Sequence, residues 1–139
     1  MIIIALSTLE GPGHEPLAVL VVDDDPDIRM LIRIHLELAG YAVHEARNGE
    51  DALLQLGEQL FDGVVLDLRM PGIDGFEVLE TMRDRGLLAR TPVLTCSAHA
   101  DEDVVATLSR SGTSGHVAKP FRPDQLIDAV GRMLNGHAA

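Results

Sequence analysis

The stretch Leu17-Ala18-Val19-Leu20-Val21-Val22-Asp23-Asp24-Asp25-Pro26-Asp27 joins six apolar residues directly to a crowd of carboxylates. A short, Val-rich apolar run closed by turn-forming residues is the pattern of a strand buried on both faces, as in a parallel sheet. Neighbouring carboxylates at low effective dielectric repel by roughly a few kcal/mol per pair, so the crowding needs an explanation. Part of it is local. Proline is favoured at the first position of a helix and aspartate directly before it is a good N-cap. Asp25 therefore reads as mainly structural, and Asp27 in the first turn complements the helix dipole. Asp23 and Asp24 are left over, and a bound cation would relieve them.

The same alternation of apolar run and helical pattern continues along the chain. Residues 26–39 read as a helix with Ile28, Leu31, Ile32 and Leu38 on one face. Residues 41–46 alternate like a strand, and Asn48-Gly49 introduces a helix through about residue 59 with Ala52, Leu53 and Leu56 inward. Residues 63–67 (GVVLD) are a third buried strand, again ending in aspartate. A helix over 74–85 carries Phe76, Leu79 and Met82 at helical spacing. Residues 92–96 form a fourth strand, 101–110 a weaker helix and 115–118 a short fifth strand. A final helix from Pro123 to about Leu134 turns Leu126, Ile127, Val130, Met133 and Leu134 inward. Five such units with short connections imply an α/β fold, a parallel sheet with helices on both faces. Gly72 and Gly75 bracket the loop after Asp67, where turn geometry accounts for both.

Composition narrows the functional classes. The 139 residues fit one domain, read here as spanning 17–134 with an extension and linker at 1–16 and a tail at 135–139. A formal net charge of −11 disfavours direct nucleic-acid binding, which needs a basic patch. The single cysteine, Cys96, allows no intrachain disulfide and no cysteine-based zinc site, and it reads as an inert core thiol in a reducing cytoplasm. No apolar run reaches the roughly 18–20 residues of a membrane span. The opening Met1-Ile2-Ile3-Ile4-Ala5-Leu6 is too short for a secretory signal, and no Lys or Arg precedes Arg29. An extra edge strand, a dimer arm or a misassigned start all fit it, and exposed it would invite edge pairing.

In open α/β sheets, ligands bind beyond the carboxyl ends of the strands. Five polar residues are delivered there: Asp23 and Asp24 after the first strand, Asp67 at the end of the third, Ser97 after the fourth and Lys119 after the fifth. Three carboxylates with water and a backbone carbonyl make a hard oxygen set suited to Mg²⁺, with Mn²⁺ as a substitute. Lys119 adds a second positive charge and Ser97 a hydroxyl. Together they suit a phosphoryl group carried on a carboxylate nucleophile.

Four segments, VLVVDDDPDIR, GVVLDLRMPGIDGFEVL, TPVLTCSA and GHVAKPF, stand in an order and at a spacing that resembles the receiver domains of bacterial two-component response regulators. The resemblance covers about residues 17–134. It implies a CheY-like, flavodoxin-like sheet of order 2-1-3-4-5. It further implies that Asp67 is the phosphoacceptor, taking its phosphoryl group from a phosphohistidine on a sensor histidine kinase or phosphotransfer protein, or from acetyl phosphate. By the same resemblance Asp23 and Asp24 match the acidic pair that holds Mg²⁺, with Asp24 and Asp67 as direct ligands. Arg69 falls where a backbone carbonyl completes the shell. Lys119 matches the phosphoryl-binding lysine, followed by a cis bond to Pro120, and Ser97 matches the hydroxyl switch residue. Arg69 and His99 occupy the two positions that border the hydrolytic water and help set phosphoryl lifetime.

One position departs from the pattern. Receivers commonly carry Tyr or Phe at the switch position in the fifth strand, where this chain has His116. A histidine there is either a rotameric switch that also feels pH or a smaller planar group on a partner surface. The other histidines, His14, His35, His44 and His137, show no ligand spacing. The reading that follows is a stand-alone signalling receiver, not a turnover enzyme, that switches a downstream protein target through the face formed by the fourth helix, fifth strand and last helix. A fragment of a longer regulator with an output domain is the alternative. A metal-dependent phosphohydrolase with an aspartate nucleophile is the third, although Arg69 stands where such enzymes often carry a second aspartate.

Overall fold

A computed structural model describes residues 15–98 and 102–138. The expected N-terminal strand or arm, and His99, lie outside these residues. Among the described residues, strands β1 (Ala18–Val22), β2 (Ala42–Ala46), β3 (Gly63–Asp67), β4 (Val93–Ser97) and β5 (Gly115–Ala118) alternate with helices α1 (Pro26–Leu38), α2 (Gly49–Glu58), α3 (Gly75–Asp84), α4 (Glu102–Arg110) and α5 (Pro123–Ala138). The strands form one parallel sheet in the order β2-β1-β3-β4-β5. Chain order reverses between β1 and β3, which makes the ends of those two strands the switch point where such folds bind ligands.

The two-residue period of the strands sends side chains alternately to the two helical layers. Val19, Val21, Val65, Leu94 and Cys96 pack with Ile32, Leu36, Leu126 and Val130 of α1 and α5. Leu20, Val22, Val64, Leu66 and Val93 pack with Ala52, Val78, Met82 and Leu108 of α2, α3 and α4. The central strands β1 and β3 therefore need apolar side chains on both faces, which is why their sequences do not alternate. Register aligns the carboxyl ends: Val22 pairs with Ala46 and Leu66, Asp67 with Cys96, and Ser97 with Ala118.

Helix starts follow their caps. Asp25 accepts from Asp27 N at 2.9 Å and caps α1, Asn48 accepts from Asp51 N at 2.7 Å and caps α2, and Asp74 with Glu77 forms a capping box on α3.

Two helical faces differ from the sequence expectation. The buried stripe of α1 is Ile32 and Leu36 with Ile28 partly covered, whereas Leu31 and Leu38 are exposed together with Met30 and Ile34. Apolar residues surround so much of this helix that periodicity alone does not choose a face; contact with β1, β2 and α5 does. In α3 the buried residues are Val78, Leu79 and Met82, and Phe76 lies 42% exposed. The last helix also continues through Asn135 and Gly136 to Ala138, past the expected stop near Leu134. Burial of Met133 and Leu134 anchors its preceding turn.

Candidate functional site

Asp23 follows β1 and is almost wholly buried, yet it is fully engaged. Its backbone N–H donates to Ala46 O at 3.2 Å. Its carboxylate accepts from Asp25 N at 3.0 Å and from Lys119 Nζ at 2.8 Å. Its carbonyl oxygen accepts from Arg29 Nη1 at 2.7 Å. Asp67 ends β3 at 4% exposure; its Oδ1 accepts from Arg69 N at 3.3 Å and lies 3.4 Å from Lys119 Nζ. Asp24 is exposed. Carboxylate oxygens of Asp23, Asp24 and Asp67 all lie within 4.8 Å of one another.

Lys119 reaches this centre from the loop after β5. The Lys119–Pro120 peptide bond is cis, and Lys119 N donates to Ser97 O at 2.9 Å. That bond ties the β5 loop to the end of β4, where Ser97 is buried. Gly75 packs against the backbone of Asp67 and Leu68. It has no positive φ; instead a Cβ there would stand 2.5 Å from Asp67 O and 2.7 Å from Leu68 Cα. Close approach of backbones, not the expected turn conformation, requires this glycine. Gly72, with φ +77°, does meet the turn expectation.

The charges do not balance. Burial first, and the charge of Asp23 second, push the Asp67 carboxyl up to about 6, against the pull of Lys119 and of the Arg69 N–H. Burial alone would lower the Lys119 ammonium, but its hydrogen bond to Asp23 and the charges of Asp23 and Asp67 outweigh that and raise it. One ammonium thus faces three carboxylates. The residual negative charge and the all-oxygen donor set fit a hard divalent cation, whose metal–oxygen distances of about 2.1 Å suit oxygens this close. Among the described residues this is where a Mg²⁺ ion would be held.

His116 lies opposite Thr95 in the β4–β5 register, and Thr95 Oγ1 and His116 Nδ1 are 2.7 Å apart. Thr95 Oγ1 also lies 3.2 Å from Gly115 O. The other ring nitrogen, Nε2, is buried with no hydrogen-bond partner among the described residues, and burial holds the imidazole below its usual 6.5. Thr95 was not singled out from the sequence. The two-residue period that places Ser97 at the site puts Thr95 on the same face, and that was the available signal. Cys96, on the opposite face, is buried and pushed up to about 12, chiefly by burial.

A family model of the response regulator receiver domain matches residues 19–131. The chain belongs to the response-regulator receiver family. This receiver is 37% identical over 116 residues to the transcriptional regulatory protein ResD of Bacillus subtilis, covering 84% of this chain and 47% of that protein. It is 37% identical over 127 residues to the nitrate/nitrite response regulator NarL of Escherichia coli, covering 89% and 57%. The receiver thus spans about half the length of these curated relatives. Among solved structures, the chemotaxis protein CheY4 of Vibrio cholerae superposes with a TM-score of 0.81 at 31% identity, over 86% of this receiver and 99% of that chain. The receiver domain of NarL from Mycobacterium tuberculosis gives 0.79 at 33% identity, over 88% and 99%. No helix among the receiver's described residues is long and apolar enough to cross a membrane.

Proposed function

We propose that this receiver takes a phosphoryl group on Asp67 and that the acyl phosphate so formed changes which protein it binds. The observation that carries the assignment is Asp67 itself: a buried carboxylate at the switch point, kept from easy ionisation by its surroundings and faced by Lys119 at 3.4 Å. A carboxylate oxygen of Asp67 attacks phosphorus, the bond from phosphorus to the donor nitrogen breaks, and the histidine leaves carrying the electron pair. Asp23, Asp24, Asp67 and the Arg69 carbonyl would hold Mg²⁺, which would supply charge neutralisation to the phosphoryl oxygens. Lys119 pairs with a second phosphoryl oxygen. Ser97 offers its hydroxyl to a third, and the shift toward the phosphoryl group is passed to β5 and His116. Arg69 and His99 occupy the two sequence positions expected to govern how long the phosphoryl group survives.

Donor docking has a physical basis next to the acidic centre. A groove of about 360 Å³ is lined by Ile28, Leu31, Ala98, Lys119, Pro120 and Phe121. Met30, Ile34 and Leu38 of α1 are also apolar and exposed, and Ile34 and Leu38 follow Leu31 at helical spacing. A helix bearing a phosphohistidine fits such a surface: apolar contact supplies affinity and the histidine is brought to Asp67. Output passes through the face of α4, β5 and α5 to a protein target, or to an output domain such as the half of the relatives' length that this chain does not span. The receiver works as an acceptor in the cytoplasm, with dimerisation as one use of that face. Incubation with phosphorylated histidine kinases tests the reading. Transfer to this chain should need Mg²⁺ and stop with a chelator; transfer that persists in the chelator contradicts it.

A further inference from the structure

Asp23 offers more than its carboxylate. Its carbonyl oxygen belongs to the peptide unit that links Asp23 to Asp24, and Arg29 Nη1 grips that oxygen at 2.7 Å. The same guanidinium donates from Nε to Glu45 Oε1 at 2.9 Å, and its side chain is only 16% exposed. Glu45, on the edge strand β2, is itself held: its Oε2 accepts from Arg33 Nη1 at 2.7 Å. A planar fork therefore spans from β2 to the peptide between the two acidic residues, with an ion pair at the Glu45 end. Asp24 is exposed, so little packing fixes where its carboxylate points. The orientation of the peptide before it does.

We infer that Arg29, anchored by Glu45, is a positioning residue for the divalent-cation site: it fixes the Asp23–Asp24 peptide so that the Asp24 carboxylate meets those of Asp23 and Asp67. The inference rests on the reading that these three carboxylates hold a cation. Arg33 supplies the contrast. It bonds Glu45 and, at 3.3 Å, Glu37, and so straps α1 to β2 and to itself without touching the acidic loop. Charge alone makes the opposite prediction for Arg29. Removing a cation beside an acidic cluster should strengthen Mg²⁺ binding by Coulomb's law, whereas removing a clamp should weaken it.

Titration calorimetry with Mg²⁺ on the full chain, paralleled by broadening of site resonances by Mn²⁺, separates the two without any phosphoryl transfer. Arg29→Met should raise the Mg²⁺ dissociation constant roughly tenfold, in the range found when groups that orient metal ligands are removed. Arg29→Lys keeps the charge but lacks the fixed planar pair of donors that holds Asp23 O and Glu45 together; its dissociation constant should rise too, by less. Arg33→Met, which removes the same charge but leaves the bonds of Arg29 to Asp23 O and Glu45 in place, should change affinity much less than Arg29→Met does. Wild-type or tighter binding by Arg29→Met and Arg29→Lys overturns the inference. If Arg29→Met does not fold, the Arg29→Lys result decides alone. Absence of Mg²⁺ binding in the wild-type chain overturns the cation site itself, and this failure is distinct because every variant is then equally silent.

Discussion

At the scale of single residues, Asp67 carries the clearest consequence. Its folded-state carboxyl is raised from 3.8 to about 6. The stability linked to its neutral form is fully present below the unfolded value and is lost as pH rises through about 6. Metal-free Asp67→Asn should therefore be more stable than wild type at about pH 8, by roughly 1–2 kcal/mol after solvent screening, with the gap closing near pH 4. Urea denaturation in a chelator at the two pH values checks this; equal gaps at both would contradict it. His116 runs the other way. Its pKa is lowered by burial, so its contribution is present above 6.5 and lost as pH falls through the folded value. An NMR titration should place the ring below 6.5. His116→Phe should remove that part of the acid sensitivity, and a ring titrating above 6.5 would refute the buried, neutral assignment.

At the scale of elements, α1 has two apolar faces with different duties. Leu36 is fully buried, and Leu36→Ala should cost about 3 kcal/mol of stability, measured by denaturant unfolding. Leu31 is 48% exposed beside the acidic centre; Leu31→Ala should change stability by no more than about 0.5 kcal/mol. It should slow transfer from a phosphorylated kinase while leaving labelling by acetyl phosphate intact. Equal slowing with both donors would place Leu31 in the chemistry instead of the docking surface. The sequence did not separate these duties, because Ile28, Leu31, Ile32, Ile34, Leu36 and Leu38 cover more than one face. Strands were more legible: β1 runs directly into Asp23 and β3 ends in Asp67, so both their position and their contribution to the site were visible. The link from Arg29 to Glu45 was not visible, because it joins residues sixteen apart that only the β1–α1–β2 packing brings together. Gly75 reads as a turn residue in the sequence because a close backbone approach leaves no mark there beyond the glycine itself.

At the scale of the whole molecule, register is what assembles the centre. Parallel pairing sets the ends of β1, β3, β4 and β5 side by side, so that residues as far apart as Asp23 and Lys119 meet at 2.8 Å. A net charge of −11, with three carboxylates gathered at one edge, makes the fold self-repulsive there. Millimolar Mg²⁺ should raise the thermal midpoint, more than the same ionic strength of NaCl does, and Asp67→Asn should blunt the difference. The central claim concerns where the phosphoryl group goes. Treatment with acetyl phosphate, borohydride trapping of the acyl phosphate and peptide mass spectrometry locate it directly. Wild type should be labelled at Asp67 only when Mg²⁺ is present, and Asp67→Asn should take no label; modification at another residue, or undiminished labelling of Asp67→Asn, would contradict the account.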